Sequence, residues 1–160
     1  MNTLQIENYL TTLPVENTGV YAADCLPHRI SPSTALVVNT DPHSESGTHW
    51  VAFYLDENYN DGRGMIEYFD SYGQPPHLQF YQGFLRRNAR RYLYNERRLQ
   101  SDNTQVCGQY CLLYLYFRTR HDLKMMDFVQ HFGDASTGEN DDNAVKKLFD
   151  KIYIKNKKSN

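Results

Sequence analysis

A polar run from Ser101 to Gln105 opens directly into an apolar one, Val106 to Phe117 (VCGQYCLLYLYF). That change of pattern predicts a loop feeding a buried helix. Thr104 or Asn103 is placed to cap the helix through a side-chain oxygen. Upstream, Asn2 to Thr12 carries Leu4, Ile6 and Leu10 in the pattern of a short amphipathic helix. Pro14 to Pro32 reads as a loop, broken by Pro14, Gly19, Pro27 and Pro32. Thr34 to Thr40 (TALVVNT) is β-branched and apolar and predicts a strand. Thr48 to Leu55 and Met65 to Asp70 predict two more, joined as a hairpin by the polar, glycine-containing stretch DENYNDGRG. Pro76 to about Asn88 predicts a helix, and Arg91 to Leu99 a strand around Tyr92, Leu93 and Tyr94, with a helix as the alternative. Asp122 to Phe132 has apolar residues at near-helical spacing, and Asp142 to about Ile154 predicts a last helix after a loop from Gly133 to Asn140. The expected architecture is α+β: a central mixed or antiparallel sheet packed by helices. Residues 1–160 are expected to form a single domain.

Composition narrows the picture. A net charge of −2 does not mark the chain as a general nucleic-acid binder. Arg86, Arg87, Arg90, Arg91, Arg97 and Arg98 nevertheless crowd one segment beside Tyr92 and Tyr94, and are the candidates for weak DNA contact or simply a solvated basic face. No apolar run is long enough to span a membrane, and the first ten residues lack the basic start and apolar core of a secretory signal. Three cysteines do not suggest a disulfide framework, so a reducing, intracellular setting is expected, and no secretion. Cys107 and Cys111 with scattered histidines lack the paired spacing of a structural zinc site, and neither metal nor cofactor is expected.

Two features carry candidate chemistry. Cys107 falls in the first turn of the helix beginning near Val106, where unpaired N–H groups and the helix dipole favour a thiolate. Gly108 beside it leaves room for a substrate backbone. Alternatively, Cys107 and Cys111 are ordinary core cysteines on one buried face. The hairpin supplies the second feature. With Leu55 opposite Gly64, His49 faces Asp70 across the strands. A carboxylate there would hold one ring nitrogen and leave the other for a third group. The alternative is a plain cross-strand polar pair. A nucleophilic thiol needs such a cation, since a free thiol is only a few per cent ionised near neutral pH. For acyl transfer, the Cys107 backbone N–H and the side chain of Gln100 or Gln105 are candidate oxyanion donors.

These motifs, in the order GTHWVAF around His49, YFDSYG around Asp70, Gln100, and CGQYC at Cys107, resemble the adenain (adenovirus maturation) proteases and, more distantly, the ubiquitin-like (SUMO) proteases. ISPSTALVVNT resembles the strand preceding the histidine in adenain-like proteins, and the resemblance covers about residues 15–117. It implies an α+β cysteine endopeptidase from a virus or virus-like element, acting in a virion, host-cell factory or nucleus on viral precursor proteins cut near glycine. It assigns Cys107 as nucleophile, His49 as base and then acid, Asp70 as orienter and Gln100, seven residues before the cysteine, as the oxyanion side chain. It also implies that Trp50 flanks the imidazole. Asp70 stands where adenain has glutamate, and Val106 where the SUMO-type enzymes have aspartate. A deconjugating protease and a non-catalytic virion protein are the alternative readings. The interval from Ser71 to Val106 contains no cysteine, so a disulfide-tethered activating peptide of the adenovirus kind is not expected.

Overall fold

The computed structural model describes residues 1–56 and 64–158, with 154–158 as backbone only. Ten elements build it in chain order: α1 (Thr3–Leu10), β1 (Asn17–Tyr21), β2 (Thr34–Asn39), β3 (Trp50–Leu55), β4 (Met65–Phe69), α2 (Gln79–Asn88), β5 (Arg91–Tyr94), α3 (Cys107–His121), α4 (Met125–Gln130) and α5 (Asp142–Lys158). The strands form one sheet in the order β1-β2-β3-β4-β5. The central hairpins are antiparallel, and both outer strands pair parallel to their neighbours. The protein is therefore α+β with a mixed sheet, as its sequence pattern predicts. No helix among the described residues is long and apolar enough to cross a membrane.

Each sheet face has its own core, because alternate residues of a strand point opposite ways. Ala35, Val37, Ala52, Tyr54 and Phe69 face α1, α3, α4 and α5. Leu36, Val38, Val51, Phe53 and Ile66 face α2. This explains the unbroken apolar run of β2, which is buried at every position. Helix α3 lies deepest, with Tyr110, Cys111, Leu112, Leu113, Tyr114 and Leu115 all fully buried. Its Tyr114 ring stacks on Phe69 of β4 at 4.8 Å, a pairing of a kind worth about 0.5–1.5 kcal/mol beyond area burial.

The structure corrects four expectations. Strand β1 lies inside the stretch expected to be loop. It is an edge strand with no fully buried residue, held by its ladder to β2, so it has no apolar pattern to announce it. The hairpin register differs by two residues: Ala52 pairs with Phe69 and Leu55 with Ile66. A two-residue slip keeps every side chain on its own face, so the hydrophobic pattern does not oppose it. Most of the connecting stretch, 57–63, lies outside the described residues. Helix α3 runs on to His121 and ends at Asp122, which adopts a left-handed conformation (φ 49°), and α4 is correspondingly shorter than expected. Finally, α3 has no side-chain cap. Val106 is the N-cap residue, and the Thr104 hydroxyl donates instead to Asp142 at 2.6 Å.

Candidate active site

Three segments of the chain meet at one end of the sheet. His49 stands just before β3, Asp70 just after β4, and Cys107 opens α3. The observed register, continued past the strand ends, sets His49 across from Tyr72 rather than Asp70. The imidazole reaches Asp70 diagonally, with Nε2 and Oδ1 2.7 Å apart. Both side chains are largely withdrawn from water, at 12% and 5% exposure, so the pair is weakly screened. With Nε2 held by Asp70, Nδ1 is left for the Cys107 sulfur.

The electrostatics of the pair follow from this packing. Burial alone would disfavour the imidazolium, but hydrogen bonds to Asp70 and Cys107 outweigh it and raise the His49 pKa to about 9. Burial likewise opposes ionisation of Cys107. The His49 hydrogen bond and charge, joined by backbone hydrogen bonds from Trp50 and Gly108, still hold its thiol below the ordinary range. The absence of a side-chain cap on α3 suits this, because no side-chain oxygen competes with the sulfur for the first N–H groups of the helix. Cys111, four residues on, is fully buried and donates to the Trp50 carbonyl, and burial pushes its thiol up. Partial desolvation and the adjacent Asp24 carboxylate push up the exposed Cys25. Limiting iodoacetamide near pH ~6 should therefore label Cys107 ahead of both. Peptide mapping that finds Cys25 or Cys111 modified and Cys107 intact would overturn this ordering.

Several supports around the pair had no distinct signal in the sequence. Tyr72 stacks on the imidazole, ring centroids 4.5 Å apart, and its backbone N–H donates to Asp70 Oδ1 at 2.8 Å. The ring stacked on His49 is thus Tyr72 and not Trp50. The Trp50 indole instead donates to the Met1 carbonyl. Asn95, fully buried, clamps the Asp70 backbone by accepting from its N–H at 2.9 Å and donating to its carbonyl at 2.6 Å. Gly73 closes the turn after Asp70 at φ 68°, where a Cβ would lie 2.8 Å from the Arg97 and Glu96 backbone. The glycine of the YFDSYG motif is therefore required both by its conformation and by that close approach.

Gln100 is buried at 1% exposure and held at both ends of its carboxamide. Ser71 Oγ donates to its Oε1 at 2.7 Å, and its Nε2 donates to the Thr104 carbonyl at 2.8 Å. An amide nitrogen carries two hydrogens, and the second has no acceptor among the described residues. Gln105 is exposed. It lines, with Met1, Gly47, Thr48, Trp50 and Cys107, an open cleft of about 470 Å³, and Gln100 is not among the lining residues. The room beside Gly108 is taken by Met1, whose side chain would sit 3.3 Å from an added Cβ. The residues 1–3 are thus a wall of the cleft that the sequence pattern did not indicate.

The six clustered arginines are divided. Arg86, Arg90 and Arg91 are exposed, whereas Arg87 donates to the His28 carbonyl and Arg98 to that of Gln100. Among the described residues, one trio of metal-ligand type comes together, Asp24, Cys25 and His43, with ligand atoms within 4.8 Å of one another. All three are exposed, and none belongs to the Cys107 site.

Neither a family model nor a curated protein matches the chain. Among solved structures it is similar to two crystal structures of the ASFV pS273R protease. One, of the selenomethionine form, is 29% identical with a TM-score of 0.37, and the likeness covers 54% of this chain and 34% of that one. The other is 26% identical with a TM-score of 0.40, covering 55% and 33% respectively. The chain thus spans about a third of the length of that protease.

Proposed function

We propose that this protein is a cysteine endopeptidase of the adenain-like kind, acting on viral precursor proteins. The observation that carries the reading is the Cys107–His49–Asp70 arrangement. It combines a thiol held below its usual range, an imidazole raised to about 9, and a buried carboxylate 2.7 Å from that imidazole. In this reading the thiolate attacks the scissile carbonyl and His49 Nδ1 gives its proton to the leaving amine. The acyl-enzyme is then hydrolysed by water that the neutral imidazole activates. Asp70 holds the ring and stabilises its charge throughout. The motif resemblance supports cleavage near glycine. The three free thiols suit a reducing, intracellular setting. Any DNA contact would fall to the exposed Arg86, Arg90 and Arg91.

The purified chain and Cys107→Ala should be compared on glycine-containing peptides and on ubiquitin-like fusions. Peptide cleavage lost in the variant is the expected result. Cleavage only of folded modifiers would move the protein to the deconjugating class, and turnover retained in Cys107→Ala would reject the reading.

For the oxyanion we assign Gln100. The Thr104 carbonyl, which can only accept, fixes which end of its carboxamide is nitrogen and leaves one N–H to donate, while Ser71 holds the oxygen. Gln100→Ala should lower kcat by about 10²–10³-fold, the cost of one lost donor, while Gln105→Ala stays near wild type. The reverse pattern would transfer the role to the cleft-lining Gln105.

A further inference from the structure

Asp142 stands at the start of α5, 35 residues beyond Cys107, yet it is buried at 3% exposure against the loop that precedes the nucleophile. Its Oδ2 accepts from the Ser101 N–H at 3.1 Å, the Ser101 hydroxyl at 2.7 Å and the Thr104 hydroxyl at 2.6 Å. Its Oδ1 faces the Tyr110 hydroxyl of α3 at 3.0 Å. A buried carboxylate surrounded by donors is a fixed point, because releasing any one of them leaves a polar group dry. The donors come from both sides of Cys107, the loop before it and the first turns of its helix.

The loop in turn holds Gln100. The Thr104 carbonyl accepts from Gln100 Nε2, and Ser71, next to Asp70, donates to Gln100 Oε1. One continuous set of hydrogen bonds therefore runs from Asp142 through Thr104 to the Gln100 carboxamide and on to Ser71. Among the described residues, no hydrogen bond joins Asp142 to His49, Asp70 or the Cys107 sulfur. We infer that Asp142 is a positioning residue for the oxyanion side of the site. It fixes residues 101–104 so that the Gln100 amide is set before the substrate arrives, while thiol ionisation is left to His49 and Asp70. This rests on the protease reading and on Gln100 as oxyanion donor.

The separation of roles can be measured. Asp142→Asn keeps shape but puts donors where the carboxylate accepted. Thr104→Val removes one of the hydroxyls with little change in volume and serves where the first variant fails to fold. Each should lower kcat by about 10–100-fold, the scale of a catalytic group misplaced by about an ångström, with KM little changed. The rate of Cys107 alkylation by iodoacetamide should stay within about two-fold of wild type, since the ion pair is untouched. Combined with Gln100→Ala, neither should cost more than Gln100→Ala alone, because the effect is routed through that side chain. Alkylation falling in step with turnover would overturn the proposal by showing a general structural role. So would losses that add to that of Gln100→Ala, or unchanged kcat in a folded variant. Full activity in Gln100→Ala would instead reject the oxyanion assignment, and turnover in Cys107→Ala the protease reading.

Discussion

His49→Ala should abolish peptide turnover, lowering kcat/KM by about 10²–10⁴-fold or more, as expected for loss of a general acid–base group. The thiol explains the size of the effect. Burial pushes Cys107 toward the neutral form, and the hydrogen bond and charge of His49 are the largest opposing influences. Without the ring, burial is opposed only by the weaker backbone contacts, and the thiolate fraction should fall well below that of wild type. Asp70→Asn should be milder. An amide oxygen can still accept from Nε2 and hold the ring, but its charge is gone. The pH profile separates these effects. Activity needs the thiolate together with a protonated ring, so it should rise as Cys107 ionises and fall as His49 loses its proton near pH ~9. The Asp70 carboxylate helps to raise the His49 value, so removing it lowers that value and moves the alkaline limb to lower pH. Measuring kcat/KM against pH for wild type and Asp70→Asn checks the sign. An alkaline limb that does not move would mean that Asp70 does not help to hold the His49 proton, and appreciable turnover by His49→Ala would remove His49 as the base.

How much of this was legible in the sequence depends on the interaction concerned. The buried helix after Gln105 and the strands β2, β3 and β4 announce themselves because burial writes a continuous or alternating apolar pattern. His49, Asp70 and Cys107 are brought together as the motifs and the hairpin suggest, although the register differs by two residues. The pairing survived that difference because side-chain faces repeat every two residues and an imidazole can reach a diagonal neighbour. The roles of Asn95, Ser71 and Asp142 were not legible. Their partners lie 25 to 41 residues away, and a buried polar side chain looks like a surface one until its partner is known. Strand β1 leaves no pattern for a related reason, since an edge strand is specified by its neighbour's hydrogen-bonding groups and not by its own side chains. Thr104 looks like a helix cap locally but bonds to a carboxylate distant in sequence, which local pattern does not reveal.

Arg118→Met should destabilise the fold by about 3–5 kcal/mol, the usual cost of removing one partner from a buried ion network. The Arg118 side chain is only 3% exposed. Its Nε donates to Glu67 at 2.8 Å, Nη2 to Asp56 at 2.6 Å and Nη1 to Asp122 at 2.7 Å. Its guanidinium also lies over the Tyr54 ring at 5.0 Å. Glu67 sits in the middle of β4 and Asp56 just past β3, so this one side chain fastens α3 to two strands. Methionine fills much of the same volume but takes the cation away from the buried Glu67 carboxylate, and the loss of that charge pairing is the main source of the destabilisation. Neutralising a carboxylate as well should return part of it. Arg118→Met combined with Glu67→Gln should be more stable than Arg118→Met alone, since the neutral amide would no longer bring a negative charge into the same place. Arg118 and Cys107 lie on one helix about 16 Å apart along its axis, so the anchor sits too far from the sulfur to affect its ionisation strongly. Turnover per folded molecule should consequently change far less than the urea midpoint. Equilibrium unfolding of the single and double variants decides the matter. A single variant within about 1 kcal/mol of wild type would mean that the network is stability-neutral, and a double variant less stable than the single would mean that packing rather than charge accounts for the loss.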